Sequence, residues 1–303
     1  MNIKTSLFFI SLIASASCFS AEIKISHQLG AVTLESTPQR VVVIGLGALD
    51  ALDAFGIEPV ALTKATQLPS YLSKYKDKKY ASSGSLFEPD FESIYNQKPD
   101  IIIVGARGAS SYKELSEIAP TLVFTTNEKM GYWESTQQQW RNLGKAFNIE
   151  NKVEQKINTL EKEFSKIRQY NKTHDLDALT VMSSASNVTA FGNQSRFSAI
   201  YQDFGFKQTV KNIKSSRHGD LISYEFISKS NPSILFIIDR DKLVNKGKST
   251  TKEDFNNALI KTTQAYQNDK ITFLDLNAWY LSIAGVTATE QMIKDIKNTI
   301  NLD

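Results

Sequence analysis

The stretch SRHGDLISYE, residues 216–225, brings an Arg, a His, an Asp and a Glu together within ten positions. The chain has only three histidines, so an imidazole beside Gly219 stands out. Imidazole can ligate a metal ion or act as a general base, because its pKa lies near neutral pH. Three roles therefore fit His218: a metal ligand, a catalytic base, or a polar loop residue.

Three arginines each follow a stretch with the pattern of a strand. Arg107 follows DIIIVGA, Arg196 follows VTAFGNQS, and Arg240 follows SILFIID. In open α/β sheets, ligands bind at the carboxyl ends of the strands. Guanidinium groups are permanently charged and donate several hydrogen bonds. Together the three arginines predict an electropositive cleft that binds an anionic ligand.

The signatures of common enzyme classes are missing from the sequence. It has no G-x-S-x-G elbow, no G-x-x-x-x-G-K-[ST] loop and no H-E-x-x-H. GLGALDALD lacks the third glycine of a dinucleotide-binding loop, and His27 and His174 lie far from His218 in the sequence. We therefore expect neither an enzyme nor a permanently bound cofactor, and no zinc or manganese site rich in histidine.

The elements that must position these residues follow an α/β pattern. Continuous apolar strands such as RVVVIG and KPDIIIVG alternate with helical segments, which indicates parallel sheets covered on both faces. From Glu150 to Asn171, apolar residues recur with spacings of four and three, as in one amphipathic helix of about 20 residues. We predict an N-terminal α/β lobe (22–148), a connecting helix (149–174) and a C-terminal α/β lobe (175–303). The ligand cleft is expected between the two lobes.

The two halves share an internal similarity. ESIYNQKPDIII (92–103) and EFISKSNPSILF (225–236) both have Glu-x-Ile, a short polar segment, Pro and an apolar strand. The same pattern also fits an ordinary link from a helix to a strand. Because Glu92 and Glu225 occupy the same offset, we interpret the two lobes as a duplication.

The first twenty residues are typical of a secretory signal peptide, with a Lys, an apolar run and then small residues. Cleavage near Ser20 would leave an exported, periplasmic protein, and lipid attachment at Cys18 is the less favoured alternative. Cys18 is the single cysteine, which excludes disulfides. The net charge is 35 − 32 = +3 without an Arg-rich run, so nucleic-acid binding is not expected.

Five stretches together resemble the periplasmic binding proteins for ferric siderophores, the family with a helical backbone between its lobes (class III). They are GSLFEPDFESI (84–94), LSEIAPTL (115–122), SRFSAIYQDFGF (195–206), HGDLISYEFI (218–227) and DLNAWYLSIAG (275–285). The resemblance runs from about residue 23 to residue 303. It is closest to the group that binds catecholate siderophores, of the enterobactin kind, for import by an ABC transporter.

The resemblance implies roles for particular residues. His218 matches the His of the family's H-G-x-x-I-S-x-E stretch, and Tyr280 matches the Tyr of its W-Y-L-S motif. In the family these two residues complete the coordination of iron. The family's cleft arginines match Arg107, Arg196 and Arg240, although GARG carries one residue more than the family's usual Gly-Arg.

The family also uses one Glu per lobe to dock onto arginines of the membrane permease. Those positions match Glu92 and Glu225, which the internal similarity had already paired. One departure is that W-Y-L-S is followed here by IAG, where the family has a glycine run.

The implied chemistry suits these residue types. Fe(III) prefers six hard, mostly oxygen ligands, so three catechols fill its coordination shell and two catechols leave two positions open. A neutral imidazole and a Tyr phenolate can fill that pair, while arginines compensate the anionic complex. Judged alone, His218 also fits a loop residue, and Tyr280 fits a core aromatic beside Trp279.

The sequence therefore predicts a monomeric periplasmic receptor that carries a ferric catecholate siderophore to an inner-membrane ABC permease. The alternatives are the same fold with haem, a cobalamin or a hydroxamate siderophore as cargo. A more remote one is an exported α/β enzyme with His218 as base and Tyr280 as acid. An adhesion or scaffolding role is a third.

Overall fold

The structure is a computed structural model that describes residues 22–64, 67–127, 129–185, 187–214, 218–245 and 247–302. The predicted signal peptide, residues 1–20, and its Cys18 lie outside the described residues. No helix in the described part of the chain is long and apolar enough to cross a membrane.

The first lobe begins with an antiparallel pair of strands and continues as a parallel sheet between helices. The pair is β1 (Ile23–His27) and β2 (Gly30–Leu34). The sheet comprises β3 (Val41–Ile44), β4 (Ala61–Leu62), β5 (Ala81–Ser82), β6 (Ile101–Gly105) and β7 (Thr121–Phe124), in the order β5-β4-β3-β6-β7. The helices are α1 (Leu46–Phe55), α2 (Phe91–Asn96), α3 (Tyr112–Ile118) and α4 (Tyr132–Phe147). Strands β3 and β6 are buried throughout, as expected for strands covered on both faces.

A long helix, α5 (Glu150–Thr173), links the two lobes. Its predicted apolar stripe is buried and comprises Val153, Ile157, Leu160, Phe164 and Ile167.

The second lobe contains a mixed sheet. Its strands are β8 (Asp177–Ser184), β9 (Asn187–Phe191), β10 (Lys207–Gln208), β11 (Asp220–Ile222), β12 (Ile234–Asp239) and β13 (Ile271–Phe273). They run in the order β11-β9-β8-β12-β13, and β10 pairs with β8. The helices are α6 (Ala199–Gln202), α7 (Tyr224–Ser230), α8 (Asp241–Val244), α9 (Thr251–Asp254), α10 (Ala258–Lys261), α11 (Gln264–Gln267) and α12 (Val286–Ile300), and a π-helical turn spans Asn277–Leu281.

The predicted α/β fold with two lobes is confirmed, but one strand runs against expectation. Strand β9 pairs with β8 antiparallel, from Ser184 opposite Asn187 to Thr180 opposite Phe191. Only residues 185 and 186 separate the two strands. That is long enough for a hairpin and far too short for a parallel crossover.

The core is continuous from one lobe to the other. Phe164 of α5 stacks on Trp133 of α4 and on Phe204 of the second lobe, with both pairs of ring centroids 4.7 Å apart. The helix α5 is therefore packed into both lobes and does not act as a free tether between them.

Candidate functional site

A cavity of about 350 Å³ lies between the lobes. The first lobe lines the cavity with the ends of β3, β6 and β7 and with Arg107. The second lobe contributes Ser195, Arg196 and Ser198, and Leu281 and Ile283 close it from the side of the π-helical turn. Both lobes therefore supply walls to one space, as a ligand cleft requires.

Two helices begin at this cavity. Gly45 precedes α1 and Gly131 precedes α4, and both glycines line the cavity. Glycine has no side chain with which to cap a helix. At α4 the Asp203 carboxylate accepts from the Tyr132 and Trp133 amides instead, whereas Gly45 gives α1 no side-chain cap at its start on the cavity. The positive end of a helix dipole favours an anion. The contribution of α1 was not predicted from the sequence, although Gly45 before an apolar helical run was a signal for it.

The three predicted arginines converge on the side chain of Tyr280. The guanidinium carbon of Arg196 lies 4.4 Å from the centre of the Tyr280 ring, and that of Arg107 lies 5.5 Å from it. Nε of Arg240 donates a hydrogen bond of 3.1 Å to the Tyr280 hydroxyl. Arg107 also donates to the Tyr280 carbonyl at 3.3 Å. Residues from both lobes thus meet at one phenol.

The ends of strands explain the positions of two of these three arginines. Arg240 directly follows β12, and Arg107 lies two residues beyond β6, as the sequence analysis expected. The expected reason is wrong for Arg196, because β9 runs antiparallel to β8 and its carboxyl end faces the opposite edge of the sheet. Arg196 reaches Tyr280 through the loop after β9, which Ser195 tightens by donating a 2.6 Å hydrogen bond to the Gly192 carbonyl.

The arginines change the acidity of the phenol. Half-burial alone would raise the pKa of Tyr280, but the charges of Arg196 and Arg240 and their hydrogen bonds outweigh burial and hold it below the ordinary value. Its neighbour Trp279 is buried, and its Nε1 donates to Asp295 at 2.9 Å. Trp279 is thus the core aromatic of this motif, whereas Tyr280 faces the arginines.

His218 stands apart from the lining of the cavity. It is exposed, in a turn just before β11, and β11 pairs with β9 so that Asp220 lies opposite Ala190. Gly219, at φ +78°, packs its Cα side against Phe191, where a Cβ would come within 2.8 Å of the ring. This pairing places His218 beside the start of the loop that carries Arg196, while the lining residues do not include it.

Glu92 and Glu225 occupy equivalent positions in the two lobes. Each lies in the first turn of a short helix, α2 and α7, and each is exposed. Asp90 caps α2 by accepting from the Ser93 amide, and Ser223 caps α7 by accepting from the Phe226 amide. The pair is therefore presented on the surface by capped helices.

Among the described residues, no group of three or more His, Cys, Asp or Glu side chains is close enough to hold a metal ion. The charged side chains that line the cavity are those of Arg107 and Arg196, and the buried Nε of Arg196 has no acceptor in the described part of the chain. A site of this kind suits a ligand that brings its own metal and its own negative charge.

Comparison with known proteins bears on the whole chain. A model of the periplasmic binding protein family matches residues 41–278. The petrobactin-binding protein YclQ of Bacillus subtilis is 38% identical over 280 residues, which cover 91% of this chain and 88% of YclQ. The ferric-anguibactin-binding protein FatB of Vibrio anguillarum is 32% identical and covers 90% and 86%.

A solved structure extends the comparison to the fold. The periplasmic catecholate-siderophore binding protein VctP from Vibrio cholerae superposes with a TM-score of 0.89 at 58% identity, over 91% of this chain and 99% of VctP. The similarity thus includes both lobes and the connecting helix.

Proposed function

Because this chain belongs to the periplasmic binding protein family, we propose that it is a periplasmic receptor for a ferric catecholate siderophore. It would deliver this cargo to an ABC transporter in the inner membrane. The observation that carries the proposal is the convergence of three arginines on the Tyr280 phenol. Two of these arginines, Arg107 and Arg196, also line the cavity between the lobes. Relatives named for petrobactin, ferric anguibactin and catecholate siderophores support the choice of cargo.

A ferric catecholate suits the charge of the cleft. Ferric catecholate complexes are anionic and aromatic, and guanidinium groups both neutralise charge and stack on ring faces. The start of α1, which has no side-chain cap from Gly45, adds partial positive charge at the same cavity. The positive charge of the cleft would attract haem, a cobalamin or a neutral ferric hydroxamate less strongly.

Tyr280 and His218 are our candidates for direct iron ligands when the siderophore offers only two catechols. The lowered pKa of Tyr280 favours this role, since a phenolate is the form that binds Fe(III). The position of His218 beside the Arg196 loop allows it to approach the same ligand from the second lobe.

Glu92 and Glu225 are proposed as the docking contacts for the permease, one on each lobe. Exposed carboxylates that face permease arginines would mainly set orientation and the rate of association. We further propose that the protein is a monomer and that it binds its cargo without catalysing a reaction. It would be exported and cleaved near Ser20, in preference to lipid attachment at Cys18. Its lobes would meet the connecting helix near residues 148 and 175.

The test is a titration of the purified mature protein with ferric bis-catecholate and ferric tris-catecholate, followed by tryptophan fluorescence. Ferric hydroxamate and haem are run in parallel. We expect quenching with micromolar or tighter affinity for a ferric catecholate, and weaker binding of the other cargoes. A flat titration with both catecholates at micromolar concentrations would reject the proposal.

A further inference from the structure

Asp50 lies in α1 of the first lobe, yet its carboxylate caps the last helix of the chain. It is fully buried, at 0% exposure. Its Oδ1 accepts from the Thr287 amide at 2.8 Å and its Oδ2 from the Ala288 amide at 2.9 Å. The residue before α12 is Gly285, which has no side chain to cap the helix. A residue more than 230 positions earlier in the chain supplies the cap instead.

The two chain segments touch so closely that only glycine fits at the contact. A Cβ on Gly285 would lie 2.2 Å from Oδ2 of Asp50, and a Cβ on Gly47 would lie 2.0 Å from the Ile283 carbonyl oxygen. Both distances are far below a van der Waals contact. Residues 283–285, the IAG that replaces the family's glycine run, are therefore seated directly on α1.

The backbone of this segment is fixed by further contacts with the first lobe. Trp140 of α4 donates from Nε1 to the Ala284 carbonyl at 2.7 Å. Ala284 has φ +65°, a left-handed conformation that an alanine rarely adopts and that persists only where the surroundings impose it. The hydroxyl of Tyr71 donates to Oδ2 of Asp50 at 3.0 Å and completes the contact.

This segment continues directly into the turn that carries Tyr280. The Ser282 amide donates to the Asn277 carbonyl at 2.8 Å, and the Gly285 amide donates to the Ser282 carbonyl at 2.8 Å. On the first-lobe side, Arg107 binds the Tyr280 carbonyl at 3.3 Å. The Tyr280 ring also contacts Arg196, and its hydroxyl accepts from Arg240, both of the second lobe. The turn is thus anchored to the first lobe and holds its phenol where arginines of both lobes meet.

We propose that Asp50 is a positioning residue for Tyr280. Its cap on α12 seats residues 283–285 on the first lobe and so fixes the turn that holds the Tyr280 phenol against the arginines. A purely structural role would stabilise α12 without affecting where the phenol lies. The consequence for cargo binding rests on the proposed function, whereas the placement of the phenol does not.

The experiment therefore uses the unliganded protein and measures the phenol itself. Asp50→Ala, Asp50→Asn and Gly285→Ala are each made with and without Tyr280→Phe. The difference in ultraviolet absorbance within each pair, followed against pH, isolates the titration of Tyr280. Gly285→Ala disturbs the same contact from the opposite side and leaves the Asp50 carboxyl in place.

A matched control comes from the far end of the same helix. Thr299 is buried, and its hydroxyl bonds the Thr272 hydroxyl at 2.9 Å and the Asp295 carbonyl at 2.8 Å. Thr299→Val therefore removes both hydrogen bonds of α12 without touching residues 283–285. It tests whether loss of stability in α12 alone moves the phenol.

We expect Asp50→Ala and Gly285→Ala to raise the pKa of Tyr280 toward the ordinary phenol value of about 10, with Asp50→Asn intermediate because it keeps one acceptor oxygen. Thr299→Val should lower the melting temperature and leave that titration unchanged. Folded Asp50→Asn or Gly285→Ala protein with an unaltered Tyr280 titration would overturn the proposal. Because the measurement involves no siderophore, a failure here and a failure of the cargo assignment are separate results.

Discussion

Replacing Arg240 with Met tests whether the arginines prepare Tyr280 for an anionic role. Arg240 contacts the phenol directly, with Nε 3.1 Å from the hydroxyl oxygen, and its terminal nitrogen donates to the Ser184 hydroxyl at 2.7 Å. Methionine keeps much of the length of the side chain and removes the charge. The substitution therefore isolates the electrostatic part of the contact.

The size of the effect follows from the distance and the exposure. Opposite unit charges about 4 Å apart attract by about 1 kcal/mol in water and about 4 kcal/mol at an effective dielectric of about 20. Tyr280 and Arg240 are both partly exposed, so solvent screening favours the lower part of this range. A loss of about 1.4 kcal/mol corresponds to roughly a tenfold lower population of phenolate at a given pH below the pKa.

The assay is the ultraviolet titration of Tyr280, taken as the difference between each protein and its Tyr280→Phe partner. Arg141→Met is the matched control. It removes the same charge from a partly exposed arginine whose Nε binds Glu154 at 2.7 Å in a separate ion pair. We expect the pKa of Tyr280 to rise in Arg240→Met and to remain unchanged in Arg141→Met. Equal titrations in the two variants would refute the claim that Arg240 prepares the phenol.

Three further predictions concern ligation, docking and pH. His218→Ala and Tyr280→Phe should each weaken a ferric bis-catecholate about tenfold or more and a ferric tris-catecholate far less, since only the former leaves open iron positions; equal losses in fluorescence titrations would argue against ligation. The double variant Glu92→Ala, Glu225→Ala should leave cargo affinity unchanged and should slow the siderophore-dependent growth of cells that depend on this receptor. Growth at the wild-type rate would contradict docking through these residues. Burial raises the pKa of Asp50 to about 6, against hydrogen bonds that lower it, so its contribution to stability is present below about pH 4 and lost as pH rises through about 6. As the pH falls from about 6 to about 4, thermal melts of the wild type should show a gain of up to about 3 kcal/mol in the free energy of unfolding, and those of Asp50→Asn should lack it. Parallel pH curves for the two proteins would contradict the assignment.

Much of the fold could be predicted because its determinants are local. The apolar spacing of residues 150–171 predicted a helix, and α5 extends from Glu150 to Thr173 with that stripe buried. The cap of α7 is also a local feature, since Ser223 directly precedes the helix and its hydroxyl accepts from the Phe226 amide. Strands buried on both faces are recognisable by composition alone, as in β3 and β6.

The features that escaped prediction depend on contacts between distant residues. The direction of β9 is the exception, because it had a local signal: only residues 185 and 186 separate it from β8, which leaves room for a hairpin and not for a parallel crossover. The convergence of three arginines on Tyr280 requires both lobes to be in place. The contact of Asp50 with Gly285 has no local signature either, because a buried Asp in an apolar helix and a glycine before another helix are each unremarkable alone.

The turn around Tyr280 collects several features that oppose folding. Guanidinium groups that converge on one ring repel one another, and the Asp50 carboxyl is held in a site that disfavours its charge. Ala284 adopts a left-handed conformation a few residues away. Groups that only stabilised the fold would not be arranged in this way, since apolar side chains of similar volume would cost less. We expect an anionic ligand to offset the repulsion among the arginines, while the contact of residues 283–285 with the first lobe holds the Tyr280 turn in place before the ligand arrives. The repulsion among the arginines and the anchored Tyr280 turn are therefore features that suit a receptor for an anionic cargo.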